Sequence, residues 1–124
     1  GEARGADMKI QVLMCEVGKE CEVKEIESGL ESLQAIVGGF IECYPIGENL
    51  DLVLNEEGKM MQLPWNRPLF DQNGKVFDLV AGPCFLIRAD NEGGFISVTD
   101  EDVQKYRSLL RPVRDSDYRQ AMGR

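Results

Sequence analysis

From Met8 the chain reads "MKIQVLMC", with apolar residues at Met8, Ile10, Val12 and Met14. This period-two alternation marks a strand, and Leu13 and Cys15 make its second face apolar as well, which places it centrally in a sheet. A second strand, "CEVKEI" (21–26), follows after "EVGKE". The spacing then changes to that of a helix: Leu30, Leu33, Ile36 and Val37 fall on one face. Ser28 and Glu31 have capping-box spacing, and Gly38–Gly39 supply a C-terminal stop. "GFIECYPI" (39–46) and "NLDLVLN" (49–55) read as strands, and "KMMQL" (59–63) is expected to pair back on the latter as a hairpin. "GKVFDLV" (74–80), "CFLIRA" (84–89) and "FISV" (95–98) complete the strand pattern. Thr99 opens a second helix, with Asp102 at the capping-box position and Val98 and Val103 placed as a hydrophobic staple. Val103, Tyr106, Leu110 and Val113 form its apolar face.

The pattern predicts an α+β fold: an antiparallel or mixed sheet with a β-β-α-β-β start and two short helices packed on the sheet. One domain is expected over 8–113. Gly1–Asp7 is read as an appended remnant ahead of a natural start at Met8, and 114–124 as a polar mobile tail.

Charge changes the picture in one respect. The net charge is −8, and it is unevenly placed. Between Glu16 and Glu57 the acids heavily outnumber Lys19 and Lys24, whereas Arg111, Arg114, Arg119 and Arg124 meet only Asp115 and Asp117. An acidic body repels the phosphate backbone, which argues against direct duplex DNA binding. The acidic stretch is either a solubilising surface or a patch that imitates nucleic acid and docks on a basic partner, with Glu16, Glu20, Glu22 and Glu25 as its candidates. No apolar run is long enough to span a membrane, and a cytoplasmic location is expected.

The chain holds no histidine and four cysteines. None of the cysteines forms a CxxC pair, so no metal site and no cofactor are expected. Ser-His-Asp and Cys-His catalysis are excluded, and no nucleophile–base pair stands out, which points away from an enzyme. The cysteines read as small core residues, and a Cys15–Cys21 disulfide is disfavoured.

The segment "LNEEGKMMQLPWNRPLF" (54–70) concentrates the candidate chemistry. Its first half is a turn: Asn55 suits the first position, Glu56 and Glu57 the middle, and Gly58 a positive φ at the end. "DQNGK" (71–75) is a second turn. In the second half, Pro64 and Pro68 stiffen a loop around Trp65, Asn66 and Arg67. Trp offers a stacking face, Asn a paired donor and acceptor, and Arg a planar fork for phosphate or carboxylate. The competing reading is a structural loop with Trp65 on the core and Arg67 paired to an acid. Arg88 stands out in the apolar "CFLIRA". It either reaches solvent at a strand end or pairs with Asp78, Glu42 or a ligand anion.

Over about Met8 to Tyr106 the chain resembles a family of small proteins classed as a domain of unknown function. The resemblance rests on "MKIQVLMCEVGKECEVKEI", "LESLQAIVGGFIECYPI", "LNEEGKMMQLPWNRPLF" and "DLVAGPCFLI". Members typically show an Asn-Glu-Glu-Gly-Lys turn followed by Leu-Pro-x-Asn-Arg, matching Asn55–Lys59 and Leu63–Arg67, with Trp65 at the variable position. They occur in phages, conjugative elements and bacterial hosts, which implies a role against host defence or in host takeover. The resemblance brings Asn55, Glu56, Lys59, Asn66 and Arg67 forward as site residues, with Trp65 beside them.

Two readings follow. One is a non-catalytic protein that binds an anionic or nucleotide-like small molecule, with Arg67 and Lys59 on the phosphate. The other is an acidic inhibitor of a host protein. Exposed strand edges suggest a homo-oligomer.

Overall fold

The structure, a computed structural model, describes residues 8–123; the reading of Gly1–Asp7 as an appended remnant lies outside the described residues. Strands β1 (Lys9–Cys15) and β2 (Glu22–Glu27) form a hairpin, followed by helix α1 (Leu30–Val37) and strands β3 (Ile41–Gly47) and β4 (Leu50–Asn55). Next come β5 (Trp65–Phe70), β6 (Val76–Ala81), β7 (Cys84–Ala89) and the short β8 (Phe95–Ile96), then helices α2 (Asp100–Tyr106) and α3 (Asp115–Met122). The main sheet has the order β2-β1-β7-β4-β3 with β8 on β7, and β5 and β6 form a separate two-stranded sheet. Every pairing is antiparallel. The α+β class and the β-β-α-β-β start are as the sequence suggests.

Alternation along the strands sorts the core into two layers. Ile10, Val12, Val53, Phe85 and Ile87 face Leu33 and Val37 of α1. Leu13, Leu52, Cys84 and Leu86 face the opposite way, towards Leu69 of β5, Val80 of β6, and Tyr106 and Leu110 at and beyond α2. The main sheet is thus covered on both sides, with α1 on one and the second sheet on the other. β1 is buried on both faces from Val12 onward, as expected of an interior strand.

Four sequence expectations are corrected. Residues 59–63 form no strand; the chain turns through them, and β4 pairs with β3 and β7 instead. The Pro-bounded loop is strand β5, which tolerates Pro68 because β5 has one partner and a free edge. The N-cap of α1 is Gly29, not Ser28, and no side chain caps it. Residues beyond Val113, expected to be a tail, form α3, in which Asp117 is buried. Two bidentate ion pairs fix the last two helices. Arg88 meets Asp102 at 2.9 and 2.7 Å, and Arg111 meets Asp117 at 2.6 and 2.8 Å. Each aspartate also accepts the main-chain N–H that opens its helix, from Thr99 and Arg114 respectively. Arg88 therefore pairs with neither Asp78 nor Glu42. Among the described residues no helix is long and apolar enough to cross a membrane.

Candidate functional site

β5 explains how two adjacent residues come to be buried together. Its register with β6 slips between Trp65 and Arg67, which oppose Ala81 and Val80. The slip makes Asn66 the extra residue of a bulge, which breaks the usual alternation of faces. Asn66 and Arg67 are 1% and 0% exposed as a result.

Their polar atoms are fully used. Asn66 Nδ2 donates to the carbonyls of Cys15 and Gly82 at 2.8 Å each. Arg67 Nε donates to Leu110 O at 2.7 Å, Nη2 to Lys19 O at 2.5 Å, and Nη1 to Asn66 Oδ1 at 2.6 Å and more loosely to Glu16 O at 3.3 Å. The accepting carbonyls come from a strand end, two turns and the segment after α2, places where no ladder satisfies them. The guanidinium stands in for the missing partners. The structural reading of Arg67 holds, although its partners are main-chain oxygens and not an acid. Closed in this way, neither Asn66 nor Arg67 presents a group to an incoming molecule.

The same centre touches the buried thiols. Cys15 and Cys84 lie opposite each other across β1 and β7, and both are free. Cys15 is held below the ordinary thiol range by a hydrogen bond from Cys84 and by the nearby Arg67 charge. Cys84 is pushed well up, by its bond to Cys15 and by burial.

Asn55 behaves as a turn residue. Its Oδ1 accepts from Glu57 N–H at 2.7 Å, and its Nδ2 donates to Val37 O at 3.0 Å, pinning the turn to the end of α1. Gly58 is required for a reason other than positive φ. A Cβ there would lie 2.5 Å from the Ala81 carbonyl oxygen, because the turn presses directly on β6. The residue that takes positive φ in this turn is Gln62, at 60°.

What this turn does shape is a cleft of about 380 Å³ between the two sheets. Leu54, Leu69, Leu79 and Val80 give it an apolar floor with Tyr44 alongside. Glu42, Glu56, Glu57 and Asp78 line it, with Lys59 as the one base among the described residues, bridged to Asp78 at 2.6 Å. The sequence pointed to Asn55, Glu56 and Lys59. It missed Glu42 and Asp78, which come from other strands, and Glu57, which sat in the quoted turn.

The other acidic candidates lie at the opposite edge of the main sheet, on and around the β1–β2 hairpin. Glu16 is bridged by Lys19 and Lys24 at 3.2 Å each, which lowers its pKa. Glu25 lies 3.9 Å from Lys9. Glu20 and Glu22 are exposed. The acidic run is therefore divided between two edges, and it is least compensated at the cleft. Trp65 stands apart from both, beside α3, where Tyr118, Arg114 and Arg119 join it. The sequence discounted those three residues as tail, although the local surplus of arginine was visible there.

Fold and cleft define a small antiparallel α+β protein whose two sheets enclose an acid-lined groove. More particularly, the chain belongs to the family described as Domain of unknown function (DUF3846), whose model matches residues 8–111. No curated protein and no solved structure matches the chain.

Proposed function

We propose that this is a non-catalytic binding protein whose cleft receives a basic, partly apolar segment of a partner protein. The observation that supports it is the cleft lining: four carboxylates against one lysine, over a floor of leucine and valine. A Lys or Arg side chain lays its methylene stem on such a floor and its cation among the acids. Lys59 already occupies that arrangement from within, and a partner's cation would compete with it for Asp78. Met60, at 78% exposure, and Met61 offer adaptable apolar surface beside the entrance. With Arg67 sealed, the charge available at this site favours a cation over an anion.

The family resemblance suggests the setting: a phage or conjugative-element protein that restrains a basic factor of its bacterial host in the cytoplasm. A homo-oligomer would form at β2 or β3, the free edges of the main sheet, and light scattering on the full chain tests that part separately.

The test is calorimetry of the full chain against Lys/Arg-rich amphipathic peptides at rising salt. Affinity is expected to fall roughly tenfold or more between low and physiological ionic strength. Glu42→Lys with Glu57→Lys is expected to abolish binding, while Glu20→Lys with Glu22→Lys leaves most of it. Equal losses from both pairs would show a diffuse charge effect and remove the cleft from the reading.

A further inference from the structure

A second groove lies between Trp65, the first residue of β5, and α3, and has the opposite electrostatic character. Trp65, half buried, meets Tyr118 of α3 with ring centroids 6.2 Å apart and planes inclined by 52°. Rings at that angle open as a wedge and do not cover each other, so each keeps part of a face free. Tyr118 is 45% exposed. The groove, of about 260 Å³, is lined by Trp65, Val113, Arg114, Asp115, Tyr118 and Arg119.

The arginines around α3 divide into two kinds. Arg111 is committed to Asp117, which also accepts from the N–H of Arg114. Arg114 and Arg119 are exposed, and among the described residues neither forms an ion pair. Among the described residues Asp115 is the single acid in the lining, so the groove keeps a positive surplus in a chain of net charge −8. Arg114 also lies near enough to Asp117 to help lower its pKa, but that carboxylate is already held by Arg111. Two exposed guanidiniums beside two partly open aromatic faces is the combination that holds a flat ring carrying a phosphate: stacking and cation–π contact for the ring, forked hydrogen bonds for the anion.

We propose that this groove binds a nucleoside monophosphate-like ligand, with the base against Trp65 and Tyr118 and the phosphate on Arg114 and Arg119. The groove lies at the small end of ligand sites, which suits one base and one phosphate and not a dinucleotide. The site is independent of the acid-lined cleft: it shares no residue with it, and α3 lies beyond the residues matched by the family model.

Trp65 is the only tryptophan in the chain, so its fluorescence reports on this groove alone. The full chain is titrated with adenosine and guanosine monophosphates, exciting at the red edge of the indole band to avoid nucleotide absorption. Saturable quenching is expected with one or both nucleotides. The unphosphorylated nucleosides should bind roughly tenfold more weakly, and inorganic phosphate alone should leave the emission unchanged while competing with the nucleotide. Arg114→Gln with Arg119→Gln, both surface changes, should weaken the nucleotide by roughly tenfold or more. Tyr118→Leu should weaken nucleotide and nucleoside alike. No saturable response up to about 5 mM of either nucleotide overturns the proposal, as does binding that the double arginine variant leaves intact.

Discussion

Arg67 Nη1 lies 2.6 Å from Asn66 Oδ1, so two neighbours in sequence are each other's partner inside the core. The contact is possible because the β-bulge turns both side chains inward. Through it, five carbonyls from distant parts of the chain converge on two side chains: Cys15, Glu16, Lys19, Gly82 and Leu110.

Removing this cation should therefore be a stability defect. Arg67→Ala leaves buried carbonyls without donors and should cost about 3–5 kcal/mol. Arg67→Lys should recover little of that, because an ammonium cannot span acceptors arranged around a planar fork. Urea denaturation at neutral pH measures both. A variant as stable as the parent would show that the carbonyl cluster does not depend on the guanidinium.

The Arg88–Asp102 pair predicts a response to acid. Bonds from Arg88 come first, followed by those from Thr99, in holding the Asp102 carboxyl down from 3.8 to about 2. A depressed folded pKa adds stability above the unfolded value, and that stability is lost as pH falls towards the folded one. The window is thus between about pH 4 and pH 2, and its size is about 2 kcal/mol. Asp117, lowered chiefly by Arg111, acts in the same direction. Asp102→Asn should lower stability at neutral pH by about 2 kcal/mol and flatten the acid limb of the stability–pH curve.

Gly58→Ala should be costly although the residue lies in an ordinary turn. The new methyl meets the Ala81 carbonyl oxygen, a main-chain atom that cannot swing aside. A loss of about 1–3 kcal/mol in chemical denaturation is expected. The Lys59–Asp78 bridge should open as the turn lifts from β6. The matched double variant lacking that bridge should then lose little more than Gly58→Ala alone.

The thiols should separate into two populations. Cys43 is exposed, while Cys15, Cys21 and Cys84 are buried. An aromatic disulfide reagent should titrate one thiol promptly in the native protein and all four in denaturant. Partial burial, with Asp51 and Glu42 nearby, raises the pKa of Cys43, so its rate should still climb above pH 9.

Periodicity carried most of the fold. Alternating Leu50, Leu52 and Leu54, and the apolar run Cys84–Ile87, identified strands because their neighbours in space agree with their neighbours in sequence. The capping box at Thr99 was readable for the same reason, since it depends on residues three apart. β5 was not, because Pro64 and Pro68 imitate a loop and the bulge at Asn66 cancels the alternation that would have revealed a strand. The burial of Arg67 was hidden in a different way. Its partners are main-chain oxygens, which no residue letter records. The cleft was half legible: Glu56 and Lys59 sit in one conspicuous turn, but Glu42 and Asp78 reach it only through the pairing of β3 and the second sheet. α3 was missed because it is held by the Arg111–Asp117 pair and by contacts with Trp65 and β6, and not by a buried apolar stripe of its own.

The convergence of carbonyls on Arg67 also bears on synthesis. Leu110 supplies an acceptor from near the end of the chain, whereas Lys19 supplies one from near the start. A ribosome making this protein releases the arginine well before its last acceptor, and in that interval the nascent chain carries an unsatisfied cation that water must solvate. Burial of Arg67 with its full set of acceptors is therefore expected only once Leu110 has left the ribosome, and limited proteolysis of chains stalled before and after that point checks it.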